Sequence, residues 1–229
     1  MVDAIFEAMT LARWKDLCID TADPGRMGPF WGAALGLTVK ALDDGDYALT
    51  GPTPEHLVWI NTVPDPLTTK QRIHLDLKAA SIAEYEALGA GRADPSAEFA
   101  WTVMRDPEGG ELCLFVKDDP PIQRLYEIVV DTADPAAQAR WWAEAFGAKA
   151  VHDRMGYSYI EDIPGAPMES IDFVPVPEPK TVKNRIHWDV HGSVPALAAA
   201  GATVLRAADD VTSWTVMADP EGNEFCVFS

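Results

Sequence analysis

The feature that most constrains this chain is an internal duplication. Asp20-Thr21-Ala22-Asp23-Pro24 returns as Asp131-Thr132-Ala133-Asp134-Pro135, with Trp31 and Gly36 landing on Trp142 and Gly147. Lys70-Gln71-Arg72-Ile73-His74-Leu75-Asp76-Leu77 returns as Lys183-Asn184-Arg185-Ile186-His187-Trp188-Asp189-Val190. Trp101-Thr102-Val103-Met104 and Asp106-Pro107-Glu108-Gly109 return as Trp214-Thr215-Val216-Met217 and Asp219-Pro220-Glu221-Gly222, and Glu111, Cys113 and Phe115 are matched by Glu224, Cys226 and Phe228. The later matches lie two residues further apart than the first, which marks a small loop insertion. Three ordered motifs occurring twice mean two copies of one supersecondary plan. We place the copies at residues 10–118 and 122–229, either side of the charged, proline-bearing stretch Lys117-Asp118-Asp119-Pro120-Pro121.

Period and punctuation give the order of elements within a copy. Trp14 to Asp20 and Tyr126 to Asp131 alternate polar with apolar, as half-buried strands do. Asp23 and Asp134 then stand as N-caps before a proline at the first helical position, and Gly36 and Gly147 stop the helices. Short strands are predicted over Tyr47–Thr50, Leu57–Thr62, Tyr157–Ile160 and Ser170–Val174. A strand around His74 or His187 opens a second unit, in which Ser81 or Ser193 precedes an alanine-rich helix that ends near Gly89-Ala90-Gly91 or Gly201. Strands around Trp101–Met104 and Glu111–Val116, and around Trp214–Met217 and Glu224–Phe228, close the copies. The fold class is therefore α+β, with four βαβββ units.

Side chains alternate faces along a strand, so the polar groups can be sorted by side. Ile73, Leu75 and Leu77 oppose Arg72, His74 and Asp76; Ile186, Trp188 and Val190 oppose Arg185, His187 and Asp189. The closing strands set Glu111, Cys113 and Phe115, and Glu224, Cys226 and Phe228, away from the helices, and the first strand does the same with Asp16, Cys18 and Asp20. A sheet with helices on one face and such mixed groups on the other curls into a cup, where a small ligand belongs. Trp101 and Trp214 can face either side, whereas Trp31, Trp141 and Trp142 at helical spacing read as core. Asp106 and Asp219 read as turn formers.

The first-strand and helix pattern ending in Trp-x-x-x-x-Gly, the Arg-x-His-x-Asp strand and the closing Asp-Pro-Glu-Gly together resemble the glyoxalase/bleomycin-resistance/extradiol-dioxygenase (vicinal oxygen chelate) superfamily, over nearly the whole chain. The resemblance implies curled mixed sheets. It also implies a divalent metal cofactor (Zn, Fe, Ni or Mn) in the family's enzymes, held by one ligand on the first strand, one on the fifth and one on the last. Those positions fall on Asp16 or Glu127, Arg72 or Arg185, and Cys113 or Cys226, with Glu111 and Glu224 two residues from the last. Arginine has no lone pair to donate, and cysteine sits comfortably on a sheet face with no metal. Asp16, Glu127, Glu111 and Glu224 are thus the candidate metal ligands, and His74 and His187, with their near-neutral reference pKa, are candidate general bases. Arg72, Asp76, Cys113, Trp101, Arg185, Asp189, Cys226 and Trp214 are candidate ligand contacts. Two functions follow. One is a small-molecule binder needing no metal, its ligand apolar or aromatic; the other is a lyase, isomerase or dioxygenase using a divalent ion or a histidine base.

The remaining expectations come from composition. Eighteen basic against 36 acidic residues give a net charge of −18, which repels phosphate backbones and anionic lipid, so neither nucleic acid nor a membrane is expected as a partner. The acidic start, Met1 to Ala8, has no basic leader, and the three cysteines are odd in number and far apart. Both point to a cytoplasmic protein with reduced thiols. The family resemblance, in which single copies commonly dimerise, implies a monomer of the fused pair or a homodimer.

Overall fold

The computed structural model describes residues 10–93 and 99–228. The acidic start and Ser229, where the second copy was expected to end, lie outside the described residues. The chain runs as four βαβββ units. The first holds β1 (Ala12–Thr21), α1 (Pro24–Leu35), β2 (Thr38–Ala41), β3 (Tyr47–Thr50) and β4 (Val58–Thr62). The second holds β5 (Ile73–Ala79), α2 (Ile82–Leu88), β6 (Gly91–Arg92), β7 (Thr102–Arg105) and β8 (Glu111–Val116). The second copy repeats this as β9 (Leu125–Thr132), α3 (Pro135–Phe146), β10 (Lys149–His152), β11 (Ser158–Glu161) and β12 (Ser170–Pro175), then β13 (Ile186–Gly192), α4 (Val194–Ala199), β14 (Thr203–Arg206), β15 (Thr215–Ala218) and β16 (Glu224–Phe228).

The helix boundaries follow from the residues predicted to set them. Asp23 and Asp134 accept from the backbone N–H three residues on, at 3.1 and 3.0 Å, and Ser81 and Ser193 cap α2 and α4 in the same way. Gly36 and Gly147 end α1 and α3 at φ +69° and +67°. At Gly36 a side chain is doubly excluded, since an added Cβ would lie 1.8 Å from the Ile122 carbonyl oxygen. The strand missing from the sequence reading in each unit is an outer one. All four residues of β2 and all four of β14 are exposed, so no alternation of burial marks them.

The two eight-stranded sheets do not follow the two copies. One runs β14-β15-β16-β13-β1-β4-β3-β2 and the other β10-β11-β12-β9-β5-β8-β7-β6. Each sheet joins one unit of each copy, through antiparallel β1 against β13 and antiparallel β5 against β9. The apolar faces predicted for these strands meet one contiguous core, in which Leu75, Leu77, Val190 and Trp142 have no exposed surface. Trp142 packs at once on Trp188 of one sheet and, through its own helix, on the other.

The repeated motifs hold the two units of each copy together across this exchange. Glu108 of Asp-Pro-Glu-Gly reaches back to the start of α1, where its Oε1 accepts from the Ala22 and Asp23 N–H groups (3.0 and 2.7 Å) and from the Thr21 hydroxyl (2.7 Å). Glu221 does the same for Ala133 and Asp134 at 2.9 and 2.8 Å. Asp106 and Asp219 close the turns beneath, each accepting from two backbone N–H groups. No helix among the described residues is long and apolar enough to cross a membrane.

Candidate functional site

Each sheet carries polar side chains on the face away from its apolar core, and strand register decides what meets there. On the first, Cys18 of β1 lies between Trp59 of β4 and His187 of β13. One step along, Asp16 lies opposite Asp189, which in turn neighbours Cys226 of β16. On the second, Glu127 lies opposite Asp76, Asp76 beside Cys113, and Val129 between Asp172 and His74. Each floor therefore carries an acidic pair, a histidine and a cysteine at equivalent places. Both are built from strands of the two copies.

The first cup is a cavity of about 510 Å³, walled by Trp59, Trp214 and Phe228. Trp214 stacks on Phe228 at 5.5 Å between ring centroids, and the Lys15 ammonium stands 4.1 Å over the same ring. Lys15 Nζ also lies 2.5 Å from Asp16 Oδ2, to which Trp59 Nε1 donates at 3.0 Å. His187 Nε2 faces the Cys226 sulfur at 3.7 Å and Asp189 at 3.8 Å. Among the described residues, Asp16 Oδ1, Asp189 Oδ1 and His187 Nδ1 are buried without a hydrogen-bond partner, so the floor has bonding capacity to offer.

Burial governs the charge of this floor. It pushes Asp189 up to about 8, helped by the negative Asp16 beside it, and it lowers His187 and raises the Cys18 thiol. Burial thus favours the neutral forms of Asp189, His187 and Cys18, next to the ion pair of Lys15 with Asp16. In the second cup burial, with Asp172 and Asp76 adding to it, raises Glu127 to about 7, and burial raises Asp172 to about 6. The two cups differ at two telling positions. Tyr126 stands where the first cup has Lys15, and Asp172 where it has Trp59.

The sorted-face expectation brings His187, Asp189, Cys226, Trp214 and Glu224 to the first cavity. His74, Asp76 and Cys113 come together in the second cup. Trp101 stacks on Phe115 at its rim. Arg72 and Arg185 turn away to the seam between the copies, donating to the Glu178 and Asp131 carbonyls and to the Asp65 carbonyl respectively. Glu224 accepts from Lys180 at 2.7 Å, and Glu111 lies 3.8 Å from Arg105. Trp59, Asn61 and Asp172 went unrecognised, although strict alternation across Leu57–Thr62 sets Trp59 and Asn61 opposite the buried Val58 and Ile60.

Two domains of the same cup-forming plan, with Glyoxalase-like domain matches over residues 16–115 and 127–228, decide the classification. The chain belongs to the glyoxalase-like domain family. Its glyoxalase-like sheets superpose on those of glyoxalase I from Zea mays (TM-score 0.65, 13% identity, 94% of this chain and 92% of that one). They also superpose on a variant of the same enzyme (0.66, 12%, 95% and 93%) and on a putative dioxygenase from Bacillus subtilis subsp. subtilis str. 168 (0.64, 13%, 95% and 85%). At such identities the likeness shows a shared fold. No curated protein matches the chain.

Proposed function

We propose that this glyoxalase-like protein binds a small, largely apolar or aromatic molecule in the first cup, without requiring a metal. The observation that carries this reading is the pairing of a wall of Trp59, Trp214 and Phe228 with a buried floor that keeps unpartnered polar atoms on Asp16, Asp189 and His187. Aromatic walls supply burial, and Asp16 and His187 supply orientation. The metal positions that the family resemblance implies support the same reading, because Arg185 and Arg72 stand at one of them and use their guanidinium groups on backbone carbonyls.

The test is a panel of neutral one- and two-ring aromatic compounds, read by thermal shift and tryptophan fluorescence. Binders are expected, and Trp214→Ala should weaken the tightest of them about tenfold or more, as loss of a central aromatic contact does. A panel without binders, or binding indifferent to Trp214→Ala, would contradict the proposal.

One arrangement favours a second reading. Donor atoms of Cys18, His187 and Asp189 lie within 4.8 Å of one another, as do those of His74, Asp76 and Cys113. These sulfur, nitrogen and oxygen donors suit zinc or iron. Cys18, His187 and Asp189 would hold the ion, which would supply Lewis acidity to a bound oxygen. Stoichiometric metal in protein prepared without chelator, lost in Asp189→Asn, would favour this reading over the first.

A further inference from the structure

The two arginines that leave the cups converge on a place of their own. A pocket of about 430 Å³ lies at the seam between the copies, between the loop from β4 to β5 and the start of β13. Lys70 and Arg72 from one copy line it, and so do Lys183 and Arg185 from the other; the acidic residues in the lining are Asp20 and Asp65. With Asp131 behind Lys70, four cations stand against three carboxylates, which leaves a small positive excess at this pocket in a chain of net charge −18.

The partners of these cations separate two roles. Lys183 pairs with the buried Asp20, and Lys70 with the buried Asp131 at 2.8 Å, so each lysine is matched across the copies by a carboxylate. The arginines are not matched in this way. Arg185 donates to the Asp65 carbonyl and Arg72 to the Glu178 and Asp131 carbonyls, and among the described residues neither guanidinium has a carboxylate partner. Backbone carbonyls orient a guanidinium but do not neutralise it. In a protein so acidic, two arginines that face one cavity with no carboxylate paired to them, flanked by two lysines more than half exposed, favour an anion there. Planar guanidinium forks suit carboxylate and phosphate oxygens.

We propose that this seam pocket binds a small multivalent anion carrying carboxylates or a phosphate, held between Arg72 of one copy and Arg185 of the other. The site adjoins the first cup, with which it shares Asp20 and Lys183, but Arg72 and Arg185 line the seam pocket and not the cup, so the proposal does not depend on the reading given to the cup. Because its walls come from both copies, occupancy also ties the copies together.

The test is isothermal titration of the full chain with sodium citrate and, separately, with sodium phosphate, at constant ionic strength held with sodium chloride. Saturable binding of one equivalent is expected for at least one probe, and the arm that responds says whether carboxylates or phosphate are preferred. Arg185→Gln can still donate to the Asp65 carbonyl but carries no charge, and should weaken binding about tenfold or more; Arg185→Lys should retain part of it. Val182→Trp, at a half-exposed lining position, fills the pocket without replacing either arginine and should abolish binding while the chain remains folded. Neither anion binding beyond chloride would overturn the proposal, since a charge of −18 is stabilised by any salt through screening. Equal affinity in wild type, Arg185→Gln and Val182→Trp would overturn it too.

Discussion

Asp16 and Asp189 face each other across antiparallel β1 and β13, both buried, with Lys15 as the cation between them and the solvent. Two carboxylates this close do not both ionise readily, and burial with the Asp16 charge holds the Asp189 proton to about pH 8. In the unfolded chain the same group loses its proton near pH 4. Between these values the folded state binds the extra proton, so this pair makes stability fall as pH rises from about 4 to about 8, and the effect levels off above that. Asp189→Asn should flatten that slope and be more stable than wild type at pH 8, measured by urea unfolding across the range. An unchanged slope would show that the pair does not share its proton as described.

The latch between Glu108 and the start of α1 explains why Asp-Pro-Glu-Gly and Asp-Thr-Ala-Asp-Pro recur together. Glu108→Ala strands the Ala22 and Asp23 N–H groups and the Thr21 hydroxyl. We expect a loss of about 1–2 kcal/mol in urea unfolding, since these are charge-assisted but partly exposed bonds. Glu108→Gln should recover part of it.

Gly36 and Gly45 both have positive φ, but only Gly36 is crowded: a Cβ at Gly45 meets nothing within 4 Å. Gly45→Ala should cost roughly 1 kcal/mol for the left-handed backbone alone. Gly36→Ala must also push back the Ile122 carbonyl, and should cost about 3 kcal/mol or more. Equal costs would mean that the linker is not seated on the end of α1.

The exchanged sheets predict the behaviour of half a molecule. Residues 10–118 alone would leave β1 without β13 and β5 without β9, two central strand edges with nothing to pair them. Two such halves can satisfy both edges by pairing β1 of one with β5 of the other. Expressed alone, this fragment should sediment as a dimer with native-like circular dichroism; a folded monomer would contradict the topology.

The parts of the fold legible in the sequence were those marked by local chemistry. Asp23, Gly36 and Ser81 announced their helix ends because capping needs those residue types, and Ile73-His74-Leu75-Asp76 announced its two faces because apolar and polar residues alternate there. Partnership between distant strands leaves no such mark. Nothing in Leu17 or Trp188 says that β1 pairs with β13 rather than with β5, because either antiparallel neighbour would bury the same apolar face. The same limit applied to the sites. His187 and Asp189 were legible from their own strand, whereas Trp59 became part of the cup only through its register with Cys18. Arg72 and Arg185 share the polar parity of their strands but lie at the strand entrances, where the chain turns toward the seam.

The central claim is that the first cup is the ligand site, and the indole N–H signals of the eight tryptophans test it most directly. With the tightest aromatic binder added to nitrogen-15-labelled protein, the signals of Trp59 and Trp214 should shift in proportion to occupancy. Those of Trp31 and Trp142, buried in the core, should stay in place. Shifts confined to Trp101 at the second rim, or none at Trp59 and Trp214 under saturation, would contradict the account.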